Sequence, residues 1–229
     1  MQNQHDRTAL LIGENGLKAL AASRVAVFGL GGVGSFALEG LVRSGVGAID
    51  AFDFDRIEAT NINRQILATH ETIGMQKAFA AASRAASINP DAEIRPYTVE
   101  IDSESIEHID FSEYDYILDC IDSVSAKILI AQKASREGTR LISCMGVGRK
   151  LDPTKLQVAD IYQTSVCPLA KVMRRELRRL GVPSLVAVFS SEAPSQSASS
   201  DIGSMAFVPA AAGMIMASVA VQGIVGGQS

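Results

Sequence analysis

Tryptophan is absent from this chain, cysteine occurs three times, and aromatic residues make up only 5% of it. The cysteines, Cys120, Cys144 and Cys167, form no CxxC pair, so a four-cysteine zinc site cannot be built within one chain. Cys120 and Cys144 sit in apolar runs, where a thiol is expected to be buried and inert. A surplus of positive charge is also lacking. Lys and Arg total 21 against 25 Asp and Glu, a net charge of −4, so no overall basic field advertises nucleic acid. Any such contact must come from a local patch. The opening residues, MQNQHDR, carry no secretory pattern, and the cytoplasm is the expected compartment. Hydrophobic residues at 47% and charged residues at 20% exclude a disordered chain. A length of 229 residues suffices for one large domain.

Long apolar runs are scarce, with one exception. From Met205 to Gly226 the only clearly polar side chains are Ser218 and Gln222, which approaches the length of a membrane-spanning helix. The run has no aromatic anchor beyond Phe207 and no flanking basic cluster. It reads instead as a buried helix beginning near Pro209, preceded by a strand.

What is present is organised around residues 24–34, RVAVFGLGGVG. An apolar run breaks into Gly29, Gly31, Gly32 and Gly34, and a helix follows over Ser35 to Arg43. A buried strand, a glycine turn and a helix N-terminus form an anion site, because backbone N–H groups point outward and the helix dipole favours negative charge. Gly29 permits the tight turn, Gly31 lets a phosphate approach the backbone, and Gly34 lets helix and strand pack closely. A second strand, Ala48 to Asp55, ends in Asp53 and Asp55. Asp53 stands nineteen residues after Gly34, where an acid takes ribose hydroxyls, and Asp55 alternates to the same face.

The rest of the chain alternates in the same way. A short helix over 13–22 precedes the first strand. TNINRQ, residues 60–65, is irregular; a helix runs from Gly74 to Ile88 with Lys77 in its first turn, and Asn89-Pro90 ends it. Strands are expected over Ala92 to Ile101, Tyr114 to Asp122 and Leu141 to Val147, with a helix from Ser123 to Glu137 stopped by Gly138. Beyond Gly148 the pattern loosens: a strand over Leu156 to Ile161, an amphipathic helix over Pro168 to Leu180, a strand over Leu185 to Ser190, and a polar flexible loop over Glu192 to Gly203. This predicts an α/β fold, Rossmann-like and doubly wound. The sheet is mostly parallel, with a nucleotide-binding core over about residues 20–150 and a less regular α/β extension over about 151–229 in one domain.

A dehydrogenase accounts for the glycines and Asp53 but not for the cations that follow. Arg64 and Lys77 come after strand two, near the crevice that holds the glycine turn, and two fixed cations suit a triphosphate better than a pyrophosphate. Asp122, at the end of a central strand, reaches the same crevice, and a carboxylate beside phosphates is a natural Mg²⁺ ligand.

GLGGVG, DFD, NxxRQ, a lysine thirteen residues after that arginine, and DCID together resemble the ubiquitin-like-protein activating enzymes, the ThiF superfamily. The motifs span residues 7–148 in the family's order. The resemblance implies adenylation of a carboxylate by ATP and Mg²⁺ within a homodimer. It places Gly29, Gly31, Gly32 and Gly34 beside the nucleotide, Asp53 on the ribose, and Asn61, Arg64 and Lys77 on phosphates with Gln65 beside them. Asp122 would hold the metal. Arg7 would reach into the partner's site, although Gln4 stands where many members carry a first arginine.

Members that activate sulfur carriers usually hold a structural zinc through two cysteine pairs, which this chain lacks. TSVCPLAKVMRRELRRLGV, VFSSE and GSMAFVPAAAG instead resemble the branch of the family that dehydrates threonylcarbamoyladenosine in bacterial tRNA. The implied reaction turns the threonylcarbamoyl carboxylate into an acyl-adenylate, after which a neighbouring group of the same modification closes a ring and releases AMP. In an acidic chain, the cations Lys171, Arg174, Arg175, Arg178 and Arg179 form the local patch able to meet tRNA phosphates; ion pairing on a solvated face, to Glu176, is the competing reading. Cys167, just before a Pro-started helix, reads as a packing position rather than a nucleophile. Two rival functions stay open at this point. One is adenylation of the C-terminus of a ubiquitin-like sulfur carrier, with a sulfur-transfer partner protein. The other is a nucleotide-binding regulator without chemistry.

Overall fold

The computed structural model describes residues 4–195 and 202–227. A single sheet of seven strands runs through it in the order β3-β2-β1-β4-β5-β7-β6. The strands are β1 (Arg24–Phe28), β2 (Ala48–Phe52), β3 (Glu93–Tyr97), β4 (Tyr116–Asp119), β5 (Leu141–Cys144), β6 (Leu156–Asp160) and β7 (Val186–Ser190). All neighbours are parallel except β6 and β7, which are antiparallel. Central strands β1, β2, β4 and β5 are buried nearly end to end, as expected of strands covered on both faces. Edge strand β3 alternates between exposed and half-buried residues and tolerates Pro96, as edge strands do.

Helices α1 (Asp6–Ala22), α2 (Gly34–Ser44), α3 (Lys77–Ile88) and α6 (Phe207–Gly226) cover one face. Helices α4 (Val124–Glu137) and α5 (Pro168–Arg179) cover the other. The two cores follow from this arrangement. One gathers Leu38, Leu41, Ile49, Ala81 and Met216; the other gathers Phe28, Phe111, Ile130, Met173 and Phe189. Helix α6 is long and apolar enough to cross a membrane by composition. Here Val208, Ala212, Met216, Ala220 and Ile224 are buried against the fold. Its contact with α2 is a backbone approach: a Cβ on Gly213 would stand 2.3 Å from the Val33 carbonyl oxygen. That closeness explains the run of Ala and Gly better than any requirement of lipid.

Several expectations are corrected. The helix expected over 13–22 extends back to Asp6 and kinks at Gly13, whose φ is 72°. Strand β2 stops at Phe52, so Asp53 and Asp55 lie beyond the pleat and do not share a strand face. Strands β3, β4 and β5 are likewise shorter than their apolar runs, because the flanking residues turn toward the crevice. Helix α3 begins at Lys77 rather than Gly74, since Gly74 adopts φ 87° in the turn before it. The strand expected before the last helix is absent: residues 202–206 are irregular and α6 starts at Phe207, two residues ahead of Pro209. Of the loop over 192–203, residues 196–201 lie outside the described residues.

Candidate active site

The chain runs from β1 to β2 and β3 on one side of the sheet, then crosses to β4 on the other side of β1. Such a reversal opens a crevice at the carboxyl ends of the two central strands. A crevice of about 880 Å³ lies there, bordered by Gly29, Gly31 and Gly32 after β1 and by Cys120, Ile121 and Asp122 after β4. The turn after β1 is tight. Gly29 has φ 83°, and a Cβ on Gly34 would fall 1.7 Å from the Gly29 carbonyl oxygen. No larger residue fits at Gly34 without unwinding the helix start. Gly31 presents an open face, its nearest side-chain atom being Gln65 Nε2 at 3.8 Å from a built Cβ.

Asp53, Asp55, Asn61, Arg64, Gln65 and Lys77 all line this crevice. Asp53 is buried and accepts the Leu30 N–H at 2.6 Å and the Asp55 N–H at 2.9 Å. Burial lifts its carboxyl above the ordinary value, against the opposing pull of Lys77 and the two N–H donors. Lys77 Nζ is 2.6 Å from Asp55 Oδ2 and 3.9 Å from Asp53 Oδ1. Arg64 is braced by the Thr60 carbonyl at 2.9 Å and Asn63 Oδ1 at 3.0 Å. Gln65 is buried, and its Oε1 has no hydrogen-bond partner among the described residues. A buried orphan acceptor on a crevice wall is a place for a ligand donor or a bound water.

Asp122 differs from the other acids of the site. It is exposed to the crevice, and its carboxylate has no partner among the described residues. No cluster of three or more His, Cys, Asp or Glu able to hold a metal occurs among the described residues. The exposed Asp122 carboxylate offers one hard oxygen ligand, which fits a cation whose other ligands are phosphate oxygens and water, the usual mode for Mg²⁺.

Other residues singled out in the sequence lie elsewhere. Arg7 is exposed on α1 and does not border the crevice. On α5 the five cations divide. Arg174 turns inward and donates to the Thr164 carbonyl at 2.9 Å and to its hydroxyl at 2.5 Å. Arg175 and Arg179 pair with Glu176, and Arg178 lies over the Tyr162 ring at 4.9 Å. Lys171, Arg175, Arg178 and Arg179 remain exposed. Cys167 is buried at the start of α5, its Sγ 3.8 Å from the Gly146 carbonyl. Burial pushes the Cys144 thiol up to about 12 and raises Cys120 as well, so neither is a ready thiolate.

Two walls of the crevice were missed by motif reasoning. One is the stretch after β3, Val99 to Ser103; the other is the stretch after β5, Met145 to Gly148. Both follow the carboxyl ends of parallel strands, so the strand-end rule that located Asp53 and Asp122 would have found them. Ile202, Ser204 and Pro209 close the rim from the C-terminal part of the chain. Asn63 Nδ2 ties that part down at the Ser204 carbonyl, 2.9 Å away, a contact with no local signal.

Comparison with known proteins finds relatives over nearly the whole chain. A tRNA threonylcarbamoyladenosine dehydratase of Bacillus subtilis (strain 168) is 39% identical over 234 residues, covering 94% of this chain and 92% of that protein. The E. coli tRNA N6-threonylcarbamoyladenosine dehydratase, TcdA, solved in complex with AMP, superposes with a TM-score of 0.92 at 33% identity, over 97% of this chain and 94% of that one. Its complex with ATP superposes with a TM-score of 0.92 at 32% identity, over 98% and 95%. The sequence model of the ThiF family matches residues 5–228. The chain belongs to the ThiF family.

Proposed function

We propose that this chain is an ATP-dependent dehydratase of threonylcarbamoyladenosine in tRNA. The observation that carries the reading is the likeness to the Bacillus subtilis dehydratase over nearly the full length of both chains. The likeness to dehydratase structures holding AMP and ATP points the same way for the nucleotide. The substrate carboxylate attacks the α-phosphorus of ATP, pyrophosphate leaves, and an acyl-adenylate forms. A nucleophile of the same modification then attacks the acyl carbon and AMP departs, so the net change is loss of water. A carboxylate is a poor electrophile, and AMP is a far better leaving group than hydroxide. Ring closure is intramolecular, so orientation supplies much of its rate and no protein nucleophile is required.

In this reading Asp53 accepts the ribose hydroxyls, and the open backbone at Gly31 meets phosphate. Asn61, Arg64 and Lys77 hold the β- and γ-phosphates, with Gln65 beside them. Asp122 would hold Mg²⁺, which when bound neutralises charge on the departing pyrophosphate. The exposed cations of α5 meet tRNA phosphates. Arg7 completes the site of a second copy, and Leu10 and Leu11 beside it, 90% and 85% exposed, belong under that copy. The test is mass spectrometry of tRNA nucleosides after incubation with ATP and Mg²⁺. A product lighter than threonylcarbamoyladenosine by one water, formed with one AMP each, is expected. AMP formation that persists after nuclease treatment and follows an added sulfur-carrier protein would refute the reading. Asp122→Ala should abolish AMP formation with an unchanged melting temperature, since an exposed carboxylate contributes little to packing.

A further inference from the structure

Among the buried polar groups, Lys127 has no part in the scheme above. It lies in the first turn of α4, fully buried, and it does not border the crevice. It therefore cannot touch nucleotide or tRNA. Its Nζ donates to Asp119 Oδ2 at 2.8 Å, to Ser143 Oγ at 3.1 Å and to the Asp119 carbonyl at 3.4 Å. The Ser143 hydroxyl donates to the same Asp119 oxygen at 2.5 Å. A buried pair of this kind is often no more stable than apolar residues of similar size, so stability alone is a weak reason for it.

Its place in the chain supplies another reason. Asp119 is the last residue of β4, and Lys127 stands at the start of the next helix. Between them runs the loop that carries Asp122. The pair thus ties the loop's two ends together beneath it. The other oxygen of Asp119 accepts the Ile121 N–H at 3.2 Å, inside the loop itself. The Cys120 N–H donates to the Phe28 carbonyl at 2.8 Å, which fixes the loop to the end of β1. A Cβ on Gly29 would stand 3.0 Å from the backbone of Cys120 and Ile121, so loop and glycine turn are packed directly together.

Resting on the assignment of Asp122 made above, we infer that Lys127 is a positioning residue: through Asp119 and Ser143 it sets the height of the Asp122 carboxylate against the glycine turn. Supporting groups one step behind a metal ligand commonly alter metal affinity about 10- to 100-fold when removed.

The experiment uses the full chain with a non-hydrolysable ATP analogue and Mn²⁺, whose binding is read by electron paramagnetic resonance. Lys127→Met alone leaves Asp119 buried without a cation and should lower the melting temperature. The double variant Asp119→Leu/Lys127→Met removes both charges and should restore it. Mn²⁺ binding to the double variant should nonetheless weaken about 10- to 100-fold. Half-saturating Mg²⁺ for AMP formation should rise in step, while the KM for ATP at saturating Mg²⁺ stays near the parent value. Ser143→Ala, a smaller change, should weaken Mn²⁺ in the same direction. A folded double variant, or Ser143→Ala should the double fail to fold, with parental Mn²⁺ affinity would overturn the inference. Asp122→Asn separates the two levels of the argument. If it weakens Mn²⁺ binding while those variants do not, only the role of Lys127 fails. If Asp122→Asn itself binds Mn²⁺ like the parent, the metal assignment fails with it.

Discussion

Lys77→Met isolates the contribution of one cation to triphosphate binding. Methionine keeps the unbranched stem, so packing around this buried residue is conserved while the charge is removed. The ammonium has three donors. One is spent on Asp55 at 2.6 Å, and Asp53 at 3.9 Å lies beyond a good hydrogen bond, so donors remain for phosphate without breaking the existing pair. A hydrogen bond to a charged group contributes about 1.5–3 kcal/mol. At 1.4 kcal/mol per decade, the dissociation constant of ATP should rise about 12- to 140-fold. AMP lacks the β- and γ-phosphates, so its affinity should change by less than about threefold on the same scale. A second effect has a definite sign. Burial already lifts Asp53 above 3.8 with Lys77 pulling against it, and without Lys77 the folded-state value rises further. The folded state then holds the proton more tightly than the unfolded state. The variant's stability deficit should be small below 3.8 and grow as pH rises through the raised value. Calorimetric titrations with ATP and AMP, and thermal melts across acid pH, measure both effects. Equal losses of ATP and AMP affinity would refute the placement of Lys77 on the outer phosphates.

Four further outcomes are expected. Replacing Lys171, Arg175, Arg178 and Arg179 with Ala should weaken tRNA binding and flatten its log–log salt slope by roughly 0.7–0.9 per lost contact, leaving ATP binding intact. Arg174→Ala should instead cost about 1–3 kcal/mol of stability in denaturant melts, through its bonds to Thr164, and leave the tRNA salt slope alone. Burial alone would raise Glu39, but the bonds of Arg84 and Arg43 outweigh it and hold the carboxyl below 4.5. The stability that Glu39 contributes over Gln should therefore be full above 4.5 and vanish as pH falls through the lowered value; a constant gap between parent and Glu39→Gln would contradict this. Finally, light scattering should show a dimer for the parent and a monomer for Leu10→Asp/Leu11→Asp. A parent that is monomeric at micromolar concentration with ATP present would remove the proposed role of Arg7.

Local sequence determined the elements whose signals are short-ranged. The run Val25 to Phe28 is apolar because both faces of a parallel strand are covered, and the glycines that follow are demanded by a positive φ at Gly29 and a near-contact at Gly34. The spacing from that turn to Asp53, and the acids that close the apolar run Tyr114 to Asp122, located two sides of the crevice, although β4 itself ends at Asp119. The stop at Gly138, with φ 73°, was legible for the same reason: a left-handed residue has a residue type. Tertiary structure decided what depends on distant segments. The lengths of β2 and β4 were set by where the chain must turn into the crevice, not by where apolar residues end. The final run is a buried helix whose Gly213 and Ala217 pack at close range on α2, a partner far earlier in the chain. Arg174 left the basic face because Thr164, ten residues earlier, offers it two oxygens. Lys127, one cation in an ordinary helical segment, acquired its meaning only when β4 and β5 placed Asp119 and Ser143 beside it. Burial and pairing are properties of the packed sheet, and no window of neighbouring residues contains them.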